Sequence, residues 1–347
     1  FDNSGFVAGV VNFENGVTVA TAAEPARATI HDIDGDGKSD IVLVHQSTNR
    51  VSVCRNISTL GSLSASSFAS PVYYATAGSP QHLSIADIDG DGKPDMVVAC
   101  ASDSVSILRS TATAGTINAS TFATRVNIAG PSGVRRCAVS DINRDGKPEI
   151  LVSGYYSNTL AVYPNACTVG SVTASAFAGR TDYAVAASPV GVAVGDADGD
   201  GLPDIAVACT GSPNKISVLR NTGSTSISSS SFAAKVDFSS AVYPFSVAFC
   251  DIDGDGKQDL AANNFFGGVG VLKNNATSGS LDASSFAAMT TYAAGSGSQG
   301  IAIGDLDGNG KPDVVTSGGT NLSVLRNTAV SGTINSGSFA AVTLFAA

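Results

Sequence analysis

The chain contains no tryptophan, only three histidines, and charged residues at just 14 % of its length. No run of eighteen apolar residues occurs, so no transmembrane helix and no membrane insertion are expected. No cluster of bases interleaved with aromatics occurs either, which argues against nucleic-acid binding. The patterns His-Glu-x-x-His and Gly-x-Ser-x-Gly are both missing. Of the histidines, His31 abuts an acidic loop and His82 enters an apolar run, and both read as structural. Helical periodicity is absent. The chain starts at Phe1 without a signal-peptide pattern, which reads as a mature or trimmed product.

The six cysteines (Cys54, Cys100, Cys137, Cys167, Cys209 and Cys250) do not recur in register, so they do not form a disulfide framework. Cys100 and Cys209 occupy equivalent places two repeats apart and are not expected to meet. Buried small hydrophobes are the plain reading; a single disulfide stays open.

What the chain does contain is one acidic nonapeptide, six times over: residues 32–40, 87–95, 141–149, 196–204, 251–259 and 305–313. The first aspartates are 54 or 55 residues apart. In the first copy oxygen-bearing side chains fall at positions 1, 3, 5 and 9 (Asp32, Asp34, Asp36, Asp40), with glycines at positions 4 and 6. Alternate spacing lets a short turn aim several carboxylates at one point, and glycine permits the positive φ such a wrap needs. Calcium takes six to eight oxygens in loose geometry and matches this donor set. Position 7 is expected to offer only its carbonyl, so its side chain varies freely between Lys38 and Leu202. An EF-hand is excluded, because position 12 carries Leu43, Val98, Val152, Val207, Ala262 or Thr316 where a bidentate Glu is required. The third copy is depleted, with Asn143, Arg144 and Glu149, and the sixth has Asn309; both are expected to bind more weakly. The loops hold 22 of the 29 acids, and six divalent ions would turn the formal −10 into +2. The acidity is therefore local to the loops and does not advertise a basic partner.

Each repeat carries four strand-like runs. One leads into the loop with small and branched residues alternating, as in Leu83-Ser84-Ile85-Ala86. A second leaves it as a continuous apolar run, as in Met96-Val97-Val98-Ala99, suited to burial on both faces. A third alternates like a half-buried strand (Val51-Ser52-Val53-Cys54) and ends in a base: Arg55, Arg109, Arg220, Lys273 or Arg326, with Pro164 the exception. Those bases are expected to pair with nearby acids or strand-end carbonyls. A fourth run starts at Phe68, Phe122, Phe177, Phe232, Phe286 or Phe339, read as wedges between units. The pattern predicts an all-β, six-bladed β-propeller of four-stranded antiparallel blades with a calcium loop in each, forming a single domain over residues 1–347. Either the Phe339 segment or residues around Phe6 to Phe13 is expected to supply the strand that closes the ring.

The loops and their spacing resemble FG-GAP or VCBS-type repeats, the group of the integrin α-subunit propeller, secreted bacterial proteins and certain fungal lectins. The resemblance covers nearly the whole chain, although the Phe-Gly and Gly-Ala-Pro pieces are poorly kept and Phe266-Gly267 is the nearest echo. It implies that the loop lies between the first two strands of a blade and binds calcium through positions 1, 3, 5, 7 and 9. Carried onto this chain, the implied ligands are Asp32, Asp34, Asp36, Lys38 and Asp40; Asp87, Asp89, Asp91, Lys93 and Asp95; and Asp141, Asn143, Asp145, Lys147 and Glu149. In the second half they are Asp196, Asp198, Asp200, Leu202 and Asp204; Asp251, Asp253, Asp255, Lys257 and Asp259; and Asp305, Asp307, Asn309, Lys311 and Asp313. About six Ca2+ ions follow, one per repeat.

Fold membership does not fix function. The leading expectation is a secreted calcium-binding module for adhesion or binding, with structural calcium and an extracellular protein or glycan as partner. Secretion is inferred because loops of modest affinity fill at extracellular calcium levels. A carbohydrate-binding lectin is the alternative, and a polysaccharide-degrading, lyase-like enzyme a further one; no catalytic residue is assigned. In propeller geometry the turns between second and third strands lie opposite the calcium loops. Residues that break the repeat there are the candidate ligand contacts: His45 with Gln46, Tyr155 with Tyr156, and Phe265 with Phe266, together with Tyr73, Tyr74 and Tyr243 on or near links between blades.

Overall fold

The computed structural model describes residues 18–19, 21, 25–59, 62–240, 243–318 and 321–346. Among them, 24 strands form six antiparallel sheets of four, each in simple sequence order. In blade 2 the strands are Pro80–Ala86, Asp95–Cys100, Ser104–Leu108 and Val126–Ala129. Every second strand begins on the acid at loop position 9, from Asp40 in blade 1 to Asp313 in blade 6. The acidic loop is thus the hairpin between first and second strands in every blade.

The chain divides into two compact units, the first holding blades 1 to 3 and the second blades 4 to 6. In the first unit the core between blades 1 and 2 gathers Val42, Val53, Tyr74, Met96 and Phe122, and that between blades 2 and 3 gathers Val97, Ile107, Ile150, Tyr163 and Phe177. The second unit repeats the arrangement, with Ile216, Phe238, Leu260 and Phe286 between blades 4 and 5, and Val271, Tyr292, Val314 and Phe339 between blades 5 and 6. Phe122, Phe177, Phe286 and Phe339 are wedges between blades, as their spacing predicts, whereas Phe68 is only half-buried. Tyr74 meets Phe122 edge-on at 4.8 Å, and Tyr292 meets Phe339 in the same way at 4.8 Å.

First strands of neighbouring blades lie so close that small residues are required. A β-carbon on Gly191 would come 2.9 Å from Ser246 Cα on the next blade. That contact explains the alternation of small and branched residues in the runs leading into the loops.

Two sequence expectations are corrected. The third strands are buried on both faces: Ser52, Ser106, Ser217 and Ser323 have no exposed surface. A polar side chain shut off from water must be bonded, and these serines find their partners in their own blade and in the link that precedes it. Ser106 Oγ donates to Asn127 Oδ1 at 2.7 Å and accepts from the Ala77 amide at 2.9 Å; Ser217 does the same with Asp237 and Ala186. Secondly, the fourth strand starts beyond the phenylalanine. Phe122 forms only an isolated bridge to Ser110, and the strand begins at Val126. Ring insertion into the core bends the chain before it can join the sheet.

The segment after Phe339 completes blade 6, where Thr343–Ala346 pairs with Asn321–Leu325. The alternative segment around Phe6 to Phe13 lies outside the described residues.

Candidate metal centres in the blade loops

Each loop is shaped by its own carboxylates. Position 1 accepts the amide of position 6 at 2.8–2.9 Å in all six copies, from Gly37 onto Asp32 to Gly310 onto Asp305. The position 5 side chain accepts the position 7 amide at 2.8–3.0 Å, Asn309 serving like the aspartates. Glycine at position 6 has φ near +80°, as Gly92 shows at +83°. Arg144 adopts the same left-handed region, φ +59°, where the other copies have glycine at position 4.

The position 9 acid does a second job. Asp95 is fully buried; Oδ2 accepts the Ile88 amide at 2.9 Å and Oδ1 the Ser110 amide at 2.6 Å, the latter just past the third strand. Asp40, Asp204, Asp259 and Asp313 make the same pair of bonds. Burial pushes Asp95, Asp204 and Glu149 up to about 7 and Asp259 up to about 6, with smaller upward shifts for Asp40 and Asp313. These carboxylates are charged at neutral pH only at a cost, which a cation in the loop offsets.

Carboxylate oxygens converge in five of the loops. One oxygen from each of Asp32, Asp34 and Asp36 lies within 4.8 Å of the others, as do those of Asp251, Asp253 and Asp255. In three other loops the converging set uses position 9 instead: Asp87, Asp89 and Asp95; Asp196, Asp198 and Asp204; Asp305, Asp307 and Asp313. Calcium binds oxygen at about 2.4 Å, so two ligands of one ion stand up to about 5 Å apart. The spacing fits a single ion. Moreover, Asp89, Asp198 and Asp307 are at most 4 % exposed, yet Oδ2 of each has no hydrogen-bond partner; Asp253 Oδ1 is in the same position. A buried carboxylate oxygen without a hydrogen bond is expensive, and all four belong to position 3 of a loop. The all-oxygen donor set and these oxygens without hydrogen bonds fit a hard divalent cation.

The position 7 side chains turn away from the loop. Lys38, Lys147, Lys257 and Lys311 each donate Nζ to a backbone carbonyl beyond the third strand at 2.7–2.8 Å, which leaves only their own carbonyls for the loop. The third loop, with Asn143, has no converging acid trio among the described residues; Asn143 Nδ2 donates to Asp145 Oδ2 at 3.2 Å instead.

The bases at the ends of the third strands reach the loops, as expected. Arg55 bonds Asp34 at 2.6 Å and Asp36 at 2.7 Å, and Lys273 bonds Asp253 at 2.5 Å and Asp255 at 2.6 Å. Arg109, Arg220 and Arg326 stand 3.5–4.0 Å from the matching aspartates.

Sequence reasoning missed the asparagine just past the third strand, which follows a base in four blades and Pro164 in blade 3. Asn165 Nδ2 donates to its own blade's Pro148 carbonyl at 2.9 Å and to the Ile88 carbonyl in the preceding blade's loop at 2.8 Å. Asn274 and Asn327 clasp the loops at Ala197 and Ile252 in the same way. The recurring base-Asn pair was the available signal. Each such clasp makes a loop part of the seam between two blades.

The candidate ligand contacts separate by burial. His45 is not on the surface: it is fully buried, with Nε2 2.8 Å from Ser52 Oγ and its ring 5.4 Å from that of Tyr73. Tyr74 belongs to the core. Gln46 donates to Ser79 Oγ at 3.2 Å. In blade 3 Tyr156 is 69 % exposed and packs edge-on to Tyr155, whose ring lies 4.8 Å from the Arg135 guanidinium. In blade 5 Phe266 is 71 % exposed and joins Tyr243, Phe265 and Phe245 in one aromatic patch, with ring centroids 5.4–6.5 Å apart. On the first strands of blades 2 and 3, His82 lies 3.7 Å from Cys137 Sγ; burial, then Arg136 and Arg27, keep that imidazole neutral. All six cysteines are free, and all but Cys250 are buried.

A six-bladed, all-β propeller with an acidic loop in the first hairpin of each four-stranded antiparallel blade is the class that this architecture defines. The FG-GAP-like repeat matches at residues 32–98, 87–152, 141–207, 196–262 and 253–316, and the chain belongs to that family. No functionally curated protein matches it. Among solved structures, a lectin of Agrocybe aegerita that recognises non-reducing terminal N-acetylglucosamine is similar in fold, with 18 % identity and a TM-score of 0.57, over 92 % of this chain and 79 % of the lectin. A catalytically inactive virginiamycin B lyase from Staphylococcus aureus, solved with quinupristin, is similar at 12 % identity and a TM-score of 0.51, over 86 % of this chain and 79 % of the lyase.

Proposed function

We propose that the chain is a secreted, calcium-stabilised propeller that acts as a binding or adhesion module for an extracellular protein or glycan. The observation that carries the metal assignment is the buried position 3 oxygen without a hydrogen-bond partner in four loops (Asp89, Asp198, Asp253 and Asp307), each facing further carboxylates. Bound calcium supplies positive charge and crosslinks the loop. The chain's own residues do the rest: positions 1 and 5 shape the turn, position 9 ties it to the third strand, and Asn165, Asn274 and Asn327 clasp it to the next blade. Calcium in this reading is structural, and it stiffens the seams between blades.

Several ions binding only the folded chain raise its stability by mass action. Chelation is expected to lower the melting temperature by at least about 10 °C, a few degrees for each kcal/mol removed. Differential scanning fluorimetry with EDTA and with excess calcium checks this; an unchanged melt after verified metal removal defeats the assignment.

Glycan recognition is the second reading, favoured by the exposed aromatic patch of blade 5. Sugar rings present C–H faces that stack on aromatic planes. The lectin fold relative adds a precedent for the fold class. A glycan array in calcium buffer is expected to give hits that weaken at least tenfold in Phe266→Ala; an empty array removes this reading and leaves a protein partner.

A further inference from the structure

We infer that the base at the end of each third strand is a resident counter-cation that competes with the metal ion for the loop, so that metal affinity is graded from blade to blade. The inference rests on the metal reading above and concerns its regulation.

The argument comes from comparing one atom across five loops. In loops 2, 4 and 6 the buried Oδ2 of the position 3 aspartate (Asp89, Asp198, Asp307) has no hydrogen-bond partner. In loops 1 and 5 the equivalent atom, Oδ2 of Asp34 or Asp253, is the one taken by Arg55 or Lys273 at 2.5–2.6 Å. In those two loops the same base also bonds Oδ2 of position 5, Asp36 or Asp255, at 2.6–2.7 Å. Where the base is close, the converging carboxylates are positions 1, 3 and 5; where it stands back, they are positions 1, 3 and 9. An ammonium or guanidinium group therefore fills the place that a divalent ion needs. Pro164 replaces the base only in blade 3, and there position 3 is Asn143, which satisfies Asp145 through its own amide. The loop without a base thus holds three acids rather than four and carries Arg144 within the turn itself.

The consequences run in both directions. Without metal, the tethered base offsets part of the negative charge of loops 1 and 5 and helps keep them folded. With metal, it must withdraw from both carboxylates, and its positive charge stays near the ion and lowers its affinity. The bridge from Arg55 is two-pronged, which makes it a stronger competitor than the more distant Arg109.

The test uses the full chain and calcium alone. Arg55→Gln and, in the other unit, Lys273→Gln are titrated by isothermal calorimetry beside the parent and Arg55→Lys, which keeps the charge. Each Gln variant is expected to show one site tightened at least tenfold, together with a lower metal-free melting temperature, while Arg55→Lys stays within about threefold of the parent. Arg109→Gln is expected to gain less than Arg55→Gln. A parent that binds calcium while neither Gln variant binds more tightly overturns the competition and leaves the metal reading intact. A parent and variants that take up no calcium at all overturn both.

Discussion

Position 3 of the acidic loop shows how much one atom decides. The same Oδ2 has no hydrogen-bond partner in Asp89, where Arg109 stands 4.0 Å away, and is bonded by Arg55 at 2.6 Å in Asp34. The two sequences around it are nearly identical, so the difference arises from where the side chain of a residue about twenty positions later comes to lie. A second single-residue effect is the aromatic wedge. Phe122 is 6 % exposed and meets Tyr74 edge-on between blades 1 and 2. Phe122→Ala leaves a cavity at that seam and is expected to cost about 3–5 kcal/mol, read from the urea midpoint at unchanged slope. Both residue types were legible as recurring signals. The burial of His45 was not, because nothing local distinguishes a turn residue facing solvent from one folded under Tyr73.

The loop hairpin is the element on which stability and chemistry meet. Its position 9 acid holds the first hairpin to the end of the third strand, and burial raises its pKa in every blade. The pH consequence follows from proton counts. A carboxyl near 4 when unfolded and about 7 when folded binds more protons in the native state, so its contribution is present below about pH 4 and is lost as pH rises through 7. His82 acts the other way: kept neutral in the fold, it costs stability as pH falls below about 6.5. Six raised acids outweigh one depressed histidine. The metal-free protein is therefore expected to lose stability between pH 5 and pH 8, measured by urea denaturation in chelator, and saturating calcium is expected to abolish or reverse that trend. Equal midpoints at both pH values would mean that the acids are not desolvated as described. The loop itself was legible in the sequence because its acids and glycines lie within nine residues. The strand that follows it was legible because a continuous apolar run has few other uses.

At the scale of the whole molecule, the sequence by itself determined the repeat: six copies, four strands in each, and an oxygen-rich turn at a constant interval, all of them set by local pattern and spacing. It also marked Phe122, Phe177, Phe286 and Phe339 as wedges, since a large apolar residue at a fixed offset from a loop packs in the same place in those blades. Tertiary structure alone decided the rest. It put the serine side of the third strands inside rather than on the surface, where Ser106 and Ser217 bond the fourth strand of their own blade. It turned an unremarked asparagine into a clasp between blades 2 and 3, 4 and 5, and 5 and 6, because Asn165, Asn274 and Asn327 bond carbonyls 75 to 77 residues away. It also set how far each base stands from its carboxylates. The physical reason is common to all three: spacing along a chain fixes which groups are neighbours in a turn, whereas groups distant along it meet only when strands and blades close on one another.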